Sequence, residues 1–253
     1  MGAGIVSAGL AGLVAGLALW ALASLPATAG ATLPDLCETV TFEGDAFIAC
    51  IVDPERQDIR LFLRTPDGQP YGSLESFATN GPSVVFAMNA GMYLPDLSPQ
   101  GLYVEAGRTL APLLTADGEG NFYLKPNGVF LVTADRRAQA VTTEAFVAKL
   151  DLAYATQSGP MLVIGGAIHP EFSDNGTSRY ARNGVGVRAD GKVVFAISED
   201  VVSFGRFARL FRDALSCPDA LYLDGFVSGL ADDDGMVVGG GHAAGPIIAV
   251  LER

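Results

Sequence analysis

The sequence predicts a single α+β domain, with a mixed, mostly antiparallel β-sheet core and a few packed helices. Three observations lead there. Short apolar or alternating runs recur from about residue 40 onward, separated by turns rich in Gly, Pro and Asp. Only one segment, residues 202–215, carries a clear helical period. No internal repeat or linker-like stretch divides the 253 residues, a length that suits one large domain.

From the N-terminus, residues 1–29 contain no charged side chain and are mostly Ala, Gly, Leu, Val and Ile. Pro26 precedes Ala27-Thr28-Ala29, which has the small-x-small form of a signal peptidase site. A secretion signal is expected there, followed by a domain over 30–253. A retained anchor is the alternative, because the apolar run approaches the ~20 residues that span a bilayer. Either way the domain is expected outside the cytoplasm, secreted or periplasmic. Contact with a membrane is expected only through this segment, if it is uncleaved. Cys37 and Cys50 bracket a short β-like stretch and could bridge in an oxidising compartment. Three ordinary buried thiols, Cys217 included, are the other reading.

Strands are expected at 47–52 and 59–63, then a turn at Thr65-Pro66-Asp67-Gly68. The apolar run 83–88 breaks at Asn89-Ala90-Gly91. Segments 101–105 and 122–132 follow, the second bent at Lys125-Pro126-Asn127-Gly128, since Pro has no N–H and Gly takes positive φ readily. Thr143 is placed to cap a short helix over 143–150. Gln157-Ser158-Gly159-Pro160 leads into the run 161–164. Segments 184–188 and 192–198 flank Ala189-Asp190-Gly191 as a hairpin. In the helix over 202–215, Phe204, Phe207, Ala208, Phe211 and Leu215 share one face, and Pro218 stops the chain from continuing it. Residues 220–223 form a strand ending at Asp224-Gly225, and 247–251 a last core strand.

Composition narrows the function. At 49% hydrophobic and 17% charged, the chain is globular rather than disordered. A net charge of −12, with no basic run, excludes nucleic acid as a partner. Lysine occurs only at positions 125, 149 and 192, so an anionic ligand would have to be held by a few placed cations. There is no P-loop, no Gly-x-Ser-x-Gly elbow and no His-Glu-x-x-His. Asp232-Asp233-Asp234-Gly235 lacks the calcium-loop spacing, and the glycines before His242 follow no dinucleotide-binding pattern. No metal and no cofactor is expected.

The polar residues cluster where buried strands end against glycine, positions that hold a side chain rigidly while the backbone turns away. Five blocks stand out in order. They are Asn89-Ala90-Gly91-Met92-Tyr93, Tyr123-Leu124-Lys125-Pro126-Asn127-Gly128-Val129-Phe130 and Gln157-Ser158-Gly159-Pro160-Met161-Leu162-Val163. Arg182-Asn183-Gly184-Val185-Gly186-Val187 is the fourth. Ala220-Leu221-Tyr222-Leu223-Asp224-Gly225 with Ser228 is the fifth. As a set they resemble the phosphodiester glycosidase family, which includes the lysosomal uncovering enzyme, and this chain looks like a bacterial branch of it. Two departures are visible. Phe226 and Val227 stand where that enzyme's branch is expected to carry two glycines, altering the pocket floor, and Arg182-Asn183 stands where Arg-Thr is expected.

The resemblance implies an exported hydrolase that cleaves a sugar from a phosphodiester-linked glycoconjugate. Such chemistry needs carboxylates for acid, base or nucleophile work, and Asp224 is the first candidate, with Glu199 and Asp200 as a second source. Arg182 is the leading candidate for holding the phosphate, with Lys125 second. Asn89, Asn127, Gln157, Ser158, Asn183 and Ser228 are neutral groups suited to sugar hydroxyls, and His242 is a site-edge candidate. Turn caps, surface ion pairs and buried amides would give the same residues without function. A catalytically inactive envelope glycan-binding module and a metal-dependent phosphodiesterase are the alternative functions.

Overall fold

The computed structural model describes residues 1–2, 32–148 and 150–253, so the expected leader over 1–29 falls outside the described residues apart from its first two. Residues Ala31–Arg253 form one unit. Among the described residues, no helix is long and apolar enough to cross a membrane.

Strand β1 (Cys37–Phe42) folds back on β2 (Asp45–Val52), and β3 (Asp58–Phe62) follows. Helix α1 (Leu74–Asn80) starts at Ser73, whose hydroxyl accepts from the Ser76 amide at 3.1 Å. Next come β4 (Phe86–Asn89), β5 (Tyr103–Glu105) and β6 (Arg108–Ala111). Strands β7 (Gly128–Thr133), β8 (Ala138–Thr142) and β9 (Leu152–Ser158) precede β10 (Met161–Ile164) and the short β11 (Ala167–Ile168). The hairpin is β12 (Asn183–Val187) with β13 (Val193–Ser198). Helix α2 (Phe204–Arg209) widens into a π-type turn at Leu210–Ala214 before β14 (Asp219–Tyr222). Strands β15 (Gly229–Asp232), β16 (Gly235–Gly239) and β17 (Ile247–Leu251) close the chain.

These strands make three sheets, ordered β1-β2-β13-β12-β14-β10-β11, β16-β15-β4-β17-β3 and β6-β5-β9-β7-β8. Every pairing between named strands is antiparallel, where a mixed core was expected. Short turns join β1 to β2, β5 to β6, β7 to β8, β12 to β13 and β15 to β16, and a strand that folds back through a short turn pairs antiparallel. Phe195 of β13 packs edge-on against Phe86 of β4 at 5.6 Å and Phe130 of β7 at 6.1 Å, so all three sheets share one core. On the other face of the seven-stranded sheet, Phe207 and Phe211 of the α2 region are fully buried, as their spacing predicts.

Cys37 and Cys50 occupy paired positions of β1 and β2 and form a disulfide, leaving Cys217 as a buried free thiol. Three local expectations change. Residues 143–148 form turns, not a helix, because the Thr143 hydroxyl accepts from Gln157 instead of capping its own chain. Asn121–Tyr123 is a single 3-10 turn, so the strand begins only at Gly128, after a cis Lys125–Pro126 bond. Helix α1 was not anticipated, since its two buried side chains, Leu74 and Phe77, are too few to show a period.

Candidate active site

Antiparallel register carries polar strand ends from all three sheets to one end of the domain. Asn89 ends β4 opposite Ile247, Ser158 ends β9 opposite Gly128, and Asn183 opens β12 beside the end of β14. Backbone bonds then tie these ends together. Leu223 N donates to Asn183 O (3.1 Å), Asp224 N to Ala90 O (3.2 Å), Tyr222 N to Pro160 O (3.1 Å) and Met161 N to Pro126 O (2.9 Å). Gly91 lets the first and third blocks touch: a Cβ there would sit 2.4 Å from both Gln157 O and Thr156 Oγ1.

Asn89 is the hub. Its Nδ2 donates to Asp224 O at 2.6 Å, and its Oδ1 accepts from Gly229 N at 3.0 Å and from Asn183 Nδ2 at 2.9 Å. One buried amide thus holds both ends of the Asp224–Ser228 turn. Within that turn, Ser228 Oγ and N both donate to Gly225 O. Asp224 itself is half-buried. Its charge raises the pKa of two phenols, Tyr93 and Tyr222, in each case second to burial or lower among the causes. The Tyr222 hydroxyl, pushed up to about 12 chiefly by burial, accepts from Gly225 N at 3.0 Å.

Arg182 is 1% exposed. Its Nε donates to Val202 O at 2.8 Å and its Nη2 to Ser178 O at 3.0 Å. The guanidinium lies 3.5 Å over the Phe204 ring, with the Tyr222 ring 5.4 Å away. Burial lowers its pKa, and the Tyr222 phenol opposes that shift. The ring stack continues from Phe204 through Phe172 to His169, at 4.9 Å and 4.7 Å. His169 is buried, its Nδ1 accepting from Glu171 N at 3.2 Å, and burial holds its pKa below the ordinary histidine range.

Asn127, Ser158 and Asn183 are all buried at this end, and Asn127 Oδ1, Ser158 Oγ and Asn183 Oδ1 have no protein hydrogen-bond partner. Buried polar atoms are rarely left so. Asn127 Nδ2 is fixed on Phe122 O at 2.8 Å, which aims its other side. Gln157 differs: its Oε1 accepts from Leu102 N and Leu114 N, and its Nε2 donates to Leu114 O and Thr143 Oγ1. That amide pins the 112–115 segment to β9. Lys125 donates to exposed Asp117 at 2.6 Å and to Thr115 O at 3.0 Å. Glu199 and Asp200 are exposed beyond β13, two strands from β14 across the sheet. His242 is exposed on a glycine loop, where the Gly241 amide donates to Glu75 and is the main cause of that carboxyl's lowered pKa. Tyr93, Tyr222 and Phe204 carry much of the site's packing; the sequence places the first two inside the motif blocks without marking a role. Among the described residues no three His, Cys, Asp or Glu side chains are grouped to share a metal ion.

Comparison with known proteins bears on the fold and the family. A family model described as phosphodiester glycosidase matches residues 82–231, which span β4 to β15 and every strand end of the cluster. The uncharacterized protein YigE of Escherichia coli K12 is 36% identical over 183 residues, 71% of this chain and 72% of that protein. Among solved structures, the fold is similar to the zebrafish N-acetylglucosamine-1-phosphodiester alpha-N-acetylglucosaminidase catalytic domain, auto-inhibited by its pro-peptide. The TM-score is 0.63 at 12% identity, covering 86% of this chain and 82% of that one. A hypothetical protein from Synechocystis gives 0.59 at 15% identity, over 86% and 61% of the two chains. With the family match extending over more than half its length, this chain belongs to the phosphodiester glycosidase family.

Proposed function

We propose that this chain is an exported hydrolase that releases a sugar from a phosphodiester-linked glycoconjugate. One observation carries the reading: the buried Asn89 amide ties the half-buried Asp224 turn to polar strand ends, Asn183 among them. A sugar's hydroxyls both donate and accept, which suits a site walled by polar strand ends better than a hydrocarbon would.

Asp224 is the acid/base. It takes a proton from water as the water oxygen bonds to the anomeric carbon. The bond from that carbon to the phosphate oxygen breaks, and its electron pair leaves with the phosphate. The products are a free sugar and a phosphomonoester. Phosphate leaves readily, so protonating it contributes less than in ordinary glycoside hydrolysis. Arg182 faces no carboxylate in its hydrogen bonds, and in a low-dielectric surrounding its charge favours a phosphate nearby. Asn89 positions Asp224 through the backbone rather than by touching substrate.

Incubating the mature domain with a panel of sugar-1-phosphodiesters tests the reading. Free sugar plus phosphomonoester is expected, and Asp224→Asn should lower turnover at least ~10²-fold. Release of a sugar-1-phosphate, sensitive to chelators, would instead establish a phosphodiesterase. Glycan binding without product, unchanged in Asp224→Asn, would establish a binding module.

A further inference from the structure

A groove with a volume near 960 Å³ lies between the end of β3, the C-terminal end of α1 and the β5–β6 hairpin. It shares a wall with the candidate site. The 93–99 loop closes through a Tyr93–Pro99 bridge and a Leu94 N to Ser98 O bond of 2.8 Å. Tyr93 stands in the field of Asp224, whereas Ser98 and Pro99 line the groove. The sheet register gives the same adjacency. Phe62, on the groove, and Asn89, in the site, both pair with Ile247, so they are two strand spacings apart, about 10 Å.

The lining sets apolar faces beside two arginines and one glutamate. Phe62, Tyr71 and the 49%-exposed Leu110 supply the apolar surface. Arg64, Arg108 and Glu105 supply the polar groups. Each arginine has an acid in its field, Asp96 for Arg64 and Glu105 for Arg108. Glu105 is further fixed by the Tyr103 hydroxyl at 2.8 Å. A surface with donors and acceptors set between apolar platforms suits a polyhydroxylated chain.

We propose that this groove binds the saccharide units on the far side of the phosphate from the sugar that is released. The substrate is then an oligosaccharide- or polymer-linked phosphodiester rather than a small ester. The proposal rests on the glycosidase reading, and its test separates the two. The sugar-1-phosphodiester cleaved in the panel is prepared as its methyl ester and as esters of linear tetrasaccharides of glucose and of N-acetylglucosamine. At least one tetrasaccharide ester should show a KM at least ~10-fold below that of the methyl ester. The double variant Arg108→Ala/Leu110→Asp, at two exposed positions, should erase that advantage while leaving kcat on the methyl ester within about twofold. Equal KM values for all three esters, or an advantage that survives in the variant, would overturn the groove assignment. If no ester is cleaved, the glycosidase reading fails, and amide shifts on adding the two tetrasaccharide phosphates decide the groove. Shifts at residues 62–66 and 105–110 that vanish in the variant sustain it, and no shifts refute it.

Discussion

Replacing Asn89 by Ala removes the amide that serves two backbone groups at opposite ends of the Asp224 turn, Asp224 O and Gly229 N. Asn183 Nδ2 also loses its 2.9 Å bond to Oδ1, but it keeps a second acceptor, Asn89 O, at 3.0 Å. The cost is therefore that of two lost side-chain hydrogen bonds to backbone groups, one buried and one half-buried. At ~1–3 kcal/mol each, the sum is ~2–6 kcal/mol, a large share of the ~5–15 kcal/mol that holds a typical domain folded. Urea unfolding followed by far-UV circular dichroism measures it from the shift in midpoint. The companion variant Asn89→Asp keeps the acceptor for Gly229 and Asn183, and only its protonated form can still donate toward Asp224 O. Burial raises the pKa of such a carboxyl, so its stability contribution is present at low pH and lost as pH rises through the folded-state pKa. Asn89→Asp should therefore be closer to wild type at pH 4 than at pH 8. A loss below ~1 kcal/mol for Asn89→Ala, with an unchanged denaturant slope, would show that this hub does not hold the strand ends together.

Four further outcomes follow from the same structure. Reducing or replacing the Cys37–Cys50 bridge, which closes a loop of sequence separation 13, should cost about 3 kcal/mol by chain-entropy arithmetic, read by urea unfolding of the Cys37→Ser/Cys50→Ser variant. Burial raises the pKa of Glu105, so its ionisation opposes folding above the ordinary carboxylate range. Glu105→Gln should accordingly gain stability relative to wild type at pH 8 and little at pH 4, in thermal melts at the two pH values. The Cys217 thiol, pushed to about 12 chiefly by burial, should resist iodoacetamide at pH 8 in the folded protein and react fully in urea, as mass spectrometry would register. A Cβ at Gly225 would meet Tyr222 Oη at 2.1 Å, so Gly225→Ala should displace the Asp224 turn and cut turnover at least ~10-fold with a smaller change in KM.

Much of the β-architecture was legible, because buried strands such as β13 and β17 announce themselves as apolar runs between turns. Register was not. Nothing local in the sequence states that Ile247 lies between Phe62 and Asn89, and that pairing decides which strand ends meet. Side-chain partners were equally hidden. Gln157 and Asn127 occupy similar motif positions. The first spends its amide on Leu102, Leu114 and Thr143, whereas the second leaves Oδ1 buried and unpaired. For Arg182 the residue type suggested an ionic partner, yet its side chain donates to two carbonyls, Ser178 O and Val202 O, and lies over the Phe204 ring with Tyr222 beyond.

The segment after Asp224 shows how structure sorts glycines that a family pattern treats alike. Residues Gly225–Val227 form one 3-10 turn, a conformation with negative φ that any L-residue adopts. Positions 226 and 227 therefore do not need glycine to make the turn, and Phe226 and Val227 leave its closure on Gly225 O by Ser228 in place. Gly225 is different, because the Tyr222 hydroxyl occupies the space a Cβ would take. The constraint at 225 is thus steric and local, whereas the backbone of the turn leaves 226 and 227 open to substitution. Exchanging Phe226 and Val227 for glycine should consequently alter which phosphodiesters are cleaved more than it alters the fold. The opposite result, lost folding with unchanged selectivity, would assign those two positions to the architecture.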